Sequence, residues 1–490
     1  MFSSQVAVVS ILLTLVGAEE LVFPPGFKFG AASSAYQIEG AWNVSDKTES
    51  IWDRALHTLP WMSTDGTNGD VACDSYHLWQ RDIEMAEELG LKFYRFSLSW
   101  TRLLPNGFAN KISEDGKNYY DNLINGLLEK GIEPLVTIYH WDLPQSLQDL
   151  GGWTNPLISD WFEDYARVVY SLYADRVKTW ITINEPVAIC DTAYSMGTFA
   201  PGIIHLESVY LCSKNVLLAH AKAWRVYDEE YKPLYHGKLS ICNHWVWFEA
   251  HTEDDEEAAE LSRQYSVGRY THAIYSNEGG WPPAIEERLN AYNVLHGYSH
   301  PRLPPFTDEE KELVKGTYDY YGFNYYFSLM ARRALPGETI TPHYVAGIRE
   351  LGIVMEAYPD LSPTLPPAFY KYPEGLRKHI SWIREKYGDL ELMIAENGFY
   401  STGKMNDFDR MDYMHDCLEQ MLLAITEDGA NVTGYSYWSL MDSFEWNESG
   451  LKFGLYHVDF NSTERTRSAR ASADYYKTVI KNHALHSPRP

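Results

Sequence analysis

Short apolar or β-branched runs alternate along the chain with longer stretches of helical period. The runs are "FKFGAASSAYQI" from Phe27, "KFYRFSLSW" from Lys92, "EPLVTIYHW" from Glu133, "KTWITIN" from Lys178, "GKLSICNHW" from Gly237, "YYGFNYYF" from Tyr320, "LELMIAEN" from Leu390 and "TGYSYWSL" from Thr433. Each has the length and composition of a buried strand. Between them the period changes: Trp79, Ile83, Ala86 and Leu89 share one helical face, as do Ile158, Phe162, Tyr165, Val169 and Tyr173, and again Met414, Leu418, Met421, Leu422 and Ile425. Helices also fit at about residues 117–130, 207–231, 257–275, 373–387 and 467–481. An apolar stripe must lie against something, and a parallel sheet is its natural partner. Eight such units close most simply into an α/β fold of one kind, a single (β/α)8 TIM barrel. An open doubly wound sheet would carry a Gly-rich phosphate loop after its first strand, and "FGAASSAYQIEG" has no such spacing. The remaining length falls at residues 40–70, 276–306 and 328–370, the last two Pro-rich and without clear period, which read as elaborated βα loops.

Composition narrows the class. Apolar residues make up 45% of the 490 and charged ones 22%, an ordinary globular balance that excludes disorder and a multi-span membrane protein. The formal charge of −26 repels phosphate backbones, so nucleic acid is excluded as a partner. The 16 Trp and 36 Tyr supply rings that suit a protein interior and also suit stacking on sugars.

The N-terminal stretch from Val6 to Leu15 is apolar but too short to span a bilayer, and Val16-Gly17-Ala18 follows it as small residues. Residues 1–18 therefore read as a signal peptide, 19–490 as one domain, and the protein as secreted, with no membrane partner. Acceptor triplets at Asn43, Asn431, Asn447 and Asn461 fit a secretory route. Five scattered cysteines have no metal-ligand spacing, and their odd number leaves at least one unpaired within a single chain.

The chemistry of such a barrel lies at the C-terminal rim, so the polar residues ending each strand are informative. Gln37 and Glu39 follow the first strand, Arg95 sits in the second, and His140-Trp141-Asp142 ends the third. Asn184-Glu185 ends the fourth, Asn243-His244 the fifth, Asn324 and Tyr326 the sixth, Glu396-Asn397 the seventh and Trp438 the eighth, with Glu445-Trp446 just beyond. A lone His or Asn there is usually a satisfied structural group, and Asn243 and His244 taken singly read that way. The set does not: a buried carboxylate is costly unless paired, and independent accidents do not collect at one rim. Two carboxylates on different strands match acid/base cleavage of a glycosidic bond, one kept protonated and the other kept ionised by Arg95. Neither a His-Glu-x-x-His motif nor an EF-hand loop is present and the 17 His are dispersed, so no metal and no cofactor is expected.

"FKFGAASSAYQIEGAW", "YRFSLSWTRLLPNG", "YHWDLPQSL", "TINEP", "YGFNYY", "IAENG" and "WSLMDSFEWNESGLKFGLYHVDF" together resemble the family 1 glycoside hydrolases, the β-glucosidase family, over about residues 23–482. The resemblance implies a (β/α)8 barrel and a retaining double displacement, with Glu185 as acid/base and Glu396 as nucleophile, their carboxyls about 5 Å apart. It implies that Arg95 and Tyr326 hold the nucleophile, that Gln37, His140, Asn184, Glu445 and Trp446 bind hydroxyls of the non-reducing sugar, and that Trp438 is the platform beneath it. Trp100 and Trp141 fit rim packing as well as sugar contact. Three departures stand out: Ser443 replaces the usual Asn, Phe327 a frequent Thr, and "FEWNESGLKFGL" is one residue shorter than usual. A glycan at Asn447 would crowd the sugar site, so that acceptor is expected to stay unused.

The implied partner is a small-molecule β-glycoside: β-glucosides, cellobiose and cello-oligosaccharides. Glu445 argues against a 6-phosphoglycosidase, and Glu185 against plant-type thioglucosidases, which replace the acid/base. Insect thioglucosidases keep both glutamates and stay as an alternative, and behind them a catalytically silent relative that only binds. Oligomeric state is not legible, and a homo-oligomer is compatible with the chain.

Overall fold

The computed structural model describes residues 21–341, 345, 348–358, 371–446 and 450–488. The leader-like segment, the Asn447 acceptor and much of the 342–370 loop lie outside them. All eight expected strands are present: β1 Lys28–Ala32, β2 Phe93–Ser97, β3 Glu133–Tyr139, β4 Thr179–Asn184, β5 Lys238–Ala250, β6 Tyr321–Arg333, β7 Leu392–Asn397 and β8 Val432–Trp438. They pair in parallel in the order β5-β4-β3-β2-β1-β8-β7-β6, and β5 pairs with β6 to close the ring. Outside lie α1 Ser75–Leu89, α2 Glu114–Glu129, α3 Ile158–Tyr173, α4 Ser208–Val226, α5 Glu256–Arg263, α6 Glu374–Tyr387, α7 Phe408–Thr426 and α8 Ala471–Asn482. Their apolar stripes are buried against the sheet as a parallel barrel requires.

A separate cluster of Phe93, Leu135, Ile181, Cys242, Tyr320 and Ala395, drawn from six positions around the ring, fills the barrel's interior. Gly30 makes room for it, because a Cβ there would meet the Phe93 ring at 2.3 Å. With the floor packed, polar side chains next along the strands emerge above it.

The structure departs from expectation in several places. β5 and β6 run on past the rim and stay paired to Ala250 and Ala331, forming a two-stranded wall above the barrel. The segment expected to lack period holds a helix, Pro283–Leu295, with only a thin buried seam, Ile285, Leu289 and Asn293. α5 continues through a π turn, Gln264–Gly268, into Arg269–Tyr275, and Arg467–Ala469 is a short strand preceding α8. Among the described residues no helix is long and apolar enough to cross a membrane.

Candidate active site

Arg95 leaves β2 into the barrel and organises what lies above the floor. Its Nε donates to Thr137 Oγ1 at 3.1 Å, its Nη1 to Glu396, and its Nη2 to Asn184 Oδ1 at 2.7 Å. The Tyr326 hydroxyl donates to the other Glu396 oxygen at 2.6 Å. Asn324 Nδ2 reaches Asn184 Oδ1 at 3.2 Å and Glu185 Oε1 at 2.6 Å. One hydrogen-bonded chain, Glu396–Arg95–Asn184–Asn324–Glu185, thus joins the two carboxyls. Both acids are 4% exposed or less. The strand register explains how they come to point inward: the β4–β5 ladder slips between Ile181 and Asn184, and the β6–β7 ladder between Phe323 and Asn324. Such irregularities re-aim side chains at strand ends.

A second group forms beside the first. Asn184 Nδ2 donates to His140 Nε2 at 3.2 Å, and the imidazole lies nearly parallel to Trp438 and Trp446, with ring centroids 5.7 and 6.1 Å away. Gln37 Nε2 reaches Glu445 Oε2 at 3.3 Å, while Ser443 Oγ donates to Glu445 Oε1 at 2.7 Å. Trp141 packs on Trp446 and donates Nε1–H to the Asn184 carbonyl at 2.9 Å. Eight of the ten residues given roles from sequence therefore meet in one hydrogen-bonded and stacked assembly, and the other two, Gln37 and Glu445, pair with each other, Glu445 being the chain neighbour of Trp446. Trp100 does not join them: it is buried against Tyr165, and its Nε1 bonds the Gly107 carbonyl. Asn324 and Thr137 belong to the assembly without having been assigned a role. Asn324 carried the same strand-end signal as its neighbours, whereas Thr137 carried none.

The two acids stand in different surroundings. Burial pushes Glu185 up to about 7, against the Asn324 hydrogen bond and the charge of Arg95. Burial also pushes Glu396 up to about 7, opposed by Arg95 and reinforced by Glu185. Two carboxyls this deep do not both ionise near neutrality, and the first negative charge settles where a guanidinium and a phenol touch it, on Glu396. Glu185 keeps the proton, with an amide rather than a cation against it. His244 Nδ1 stands 3.7 Å from Glu185 Oε2, and burial lowers its pKa to about 4, so it is neutral there. His140 is held neutral by burial and by Arg95. Among the described residues no three His, Cys, Asp or Glu are grouped to hold a metal ion.

The family model "Glycosyl hydrolase family 1" matches residues 19–485. The chain belongs to that family. This family 1 glycosidase is 44% identical over 463 residues to Myrosinase 1 of Brevicoryne brassicae, which covers 94% of this chain and 98% of the relative. It is 36% identical to the human cytosolic beta-glucosidase, over 95% of this chain and all of that one. Among solved structures, a mutant rice Os3BGlu6 beta-glucosidase in a covalent complex with Glc superposes with a TM-score of 0.85 at 33% identity, over 93% of this chain and 98% of that chain. The barrel and its rim are thus those of a glycosidase family whose members include both thioglucosidases and O-glucosidases.

Proposed function

We propose that this glycosidase hydrolyses terminal non-reducing β-D-glucosyl residues with retention, by double displacement. The observation that carries the reading is the unequal environment of the two buried acids. Glu396, held ionised by Arg95 and Tyr326, attacks the anomeric carbon, and Glu185, held protonated, gives its proton to the leaving oxygen. The bond to the aglycone breaks as the glycosyl–Glu396 ester forms. Glu185, now a carboxylate, then takes a proton from the water that breaks the ester, which restores both groups. The covalent glucose in the rice relative supports such an intermediate. On this reading Gln37, His140, Asn184, Glu445 and Trp446 take hydroxyls of the glucose, and Trp438 lies under its ring.

The test uses an aryl β-glucoside. Wild type should release the aryl alcohol and Glu396→Gln should not, whereas equal, negligible rates from both would favour a silent binding protein. Glu185→Ala should lose roughly 10²–10⁴-fold on a poor leaving group and, with azide, yield the β-glucosyl azide. An α product would overturn retention.

The similarity to Myrosinase 1 favours a second reading, thioglucoside cleavage by the same pair. A glucosinolate in a panel with cellobiose, cello-oligomers and an aryl galactoside separates the two. Secretion and a single catalytic domain over residues 19–490 complete the proposal, resting on the leader-like N-terminus and on Asn43, Asn431 and Asn461, which are exposed.

A further inference from the structure

Glu185 holds a backbone conformation that its side chain disfavours. Its φ is +50°, in the left-handed region where a Cβ crowds the following carbonyl, so the surrounding structure must enforce it. One side is enforced by the barrel, since Glu185 N donates to the Cys242 carbonyl at 2.8 Å. On the other side the Glu185 carbonyl accepts from Ile189 N at 3.3 Å, and Ile189 lies in a π turn, Ala188–Ala193. That π turn follows directly on helical Pro186 and Val187 and is six residues long.

What fixes that turn is a buried set of ties to α4 and to the helical turn after α5. Cys190 is disulfide-bonded to Cys212 of α4. The next residue, Asp191, accepts from Arg269 Nη2 at 2.6 Å, both side chains being fully buried. Arg269 Nη1 donates to Ser213 Oγ, the neighbour of Cys212, at 3.3 Å. Ser213 Oγ lies 2.9 Å from the Tyr270 hydroxyl, which donates to the Pro186 carbonyl at 3.3 Å. The ring closes from Pro186 through Tyr270, Ser213 and Arg269 to Asp191, with the disulfide beside it. Cys73, Cys242 and Cys417 stay as thiols, so among the described residues this one cross-link falls five residues from the proposed acid.

We propose that the Cys190–Cys212 disulfide and the Asp191–Arg269–Ser213–Tyr270 network are positioning elements for proton donation by Glu185. This rests on the acid/base reading of Glu185. The ties act on the acid and not on Glu396, which hangs from β7 and is held by Arg95 and Tyr326. Loosening them should therefore cost most where the leaving group needs its proton. In the folded double variant Cys190→Ala/Cys212→Ala, kcat/KM should fall by about tenfold or more on an alkyl β-glucoside and by less than about twofold on a dinitrophenyl β-glucoside. Tyr270→Phe keeps the ring and removes only the hydroxyl, so it serves if the double variant does not fold. It should show the same selectivity to a smaller degree. Equal loss on both substrates, or no loss on either, overturns the proposal. Glu185→Gln run beside them separates the two claims. If it shows the leaving-group selectivity and the tie variants do not, only the tie falls; if it fails to show it, the acid assignment itself falls.

Discussion

The two acids differ less in burial than in what touches them, so single hydrogen bonds set which limb of the pH profile each controls. Activity on this mechanism requires Glu396 ionised and Glu185 protonated, giving a bell whose limbs belong to the coupled pair. The Tyr326 hydroxyl favours ionised Glu396. Tyr326→Phe should therefore raise the pKa of Glu396 and move mainly the acid limb of kcat/KM to higher pH. Asn324 favours ionised Glu185. Asn324→Ala should raise that pKa and move mainly the alkaline limb upward. A hydrogen bond to a charged group contributes about 1.5–3 kcal/mol, so each variant should also lose roughly 10–100-fold in rate. Profiles in which both variants move the same limb would mean that the roles of the two glutamates are misassigned.

At the scale of elements, the end of β7 shows why its sequence is Glu-Asn-Gly. A Cβ at Gly398 would lie 1.9 Å from the Trp438 carbonyl oxygen at the end of β8, and backbone cannot yield as a flexible side chain would. Gly398→Ala should force β7 and β8 apart. We expect a loss of about 1–3 kcal/mol of stability from overpacking, with a rise in KM because Trp438 moves; an unchanged KM in a thermal-shift-confirmed variant would contradict that geometry. The strands themselves were legible because each is a short run buried on both faces. Their ends were legible because polar residues, two of them carboxylates, end strand after strand at one rim, as independent structural groups would not. The continuation of β5 through Val246-Trp247-Phe248 was not, since an apolar run has no mark where the barrel stops and a wall begins. Helix Pro283–Leu295 hid for a different reason: it leaves Val294 and Leu295 about 80% exposed, which blurs its apolar face. The left-handed backbone at Trp141, Glu185 and Trp446 has no sequence signature in residues other than Gly, and five cysteines do not disclose which two pair.

For the molecule as a whole, the same burial that arms the site links folding to pH. Burial raises Glu185, Glu396 and Glu445 to about 7 and, with the charge of Glu39 beside it, raises Asp142 to about 8. Asp142 follows Trp141 and, with Glu39, Arg102, Lys47 and Asp53, lines a small cavity where its Oδ1 has no hydrogen-bond partner among the described residues. The folded protein therefore holds protons that the unfolded chain has released. Stability from these groups is fully present below the ordinary carboxyl range and is lost as pH rises towards 7 to 8. Paired surface acids such as Asp428 and Glu338, lowered by Arg377 and Arg332, act in the opposite sense and only below about pH 4. The buried histidines His140, His220, His244 and His379, lowered by burial, act in the opposite sense over the same interval, because the unfolded chain takes up protons there that the fold does not, so the contribution of an acid is read from the difference between variant and wild type. Asp142→Asn replaces the carboxylic acid with a neutral group of the same shape, so its Tm measured relative to wild type should rise from pH 5 to pH 8 and exceed that of wild type at pH 8. Parallel curves for the two proteins would show that Asp142 is already ionised in the fold and contributes nothing to the pH dependence.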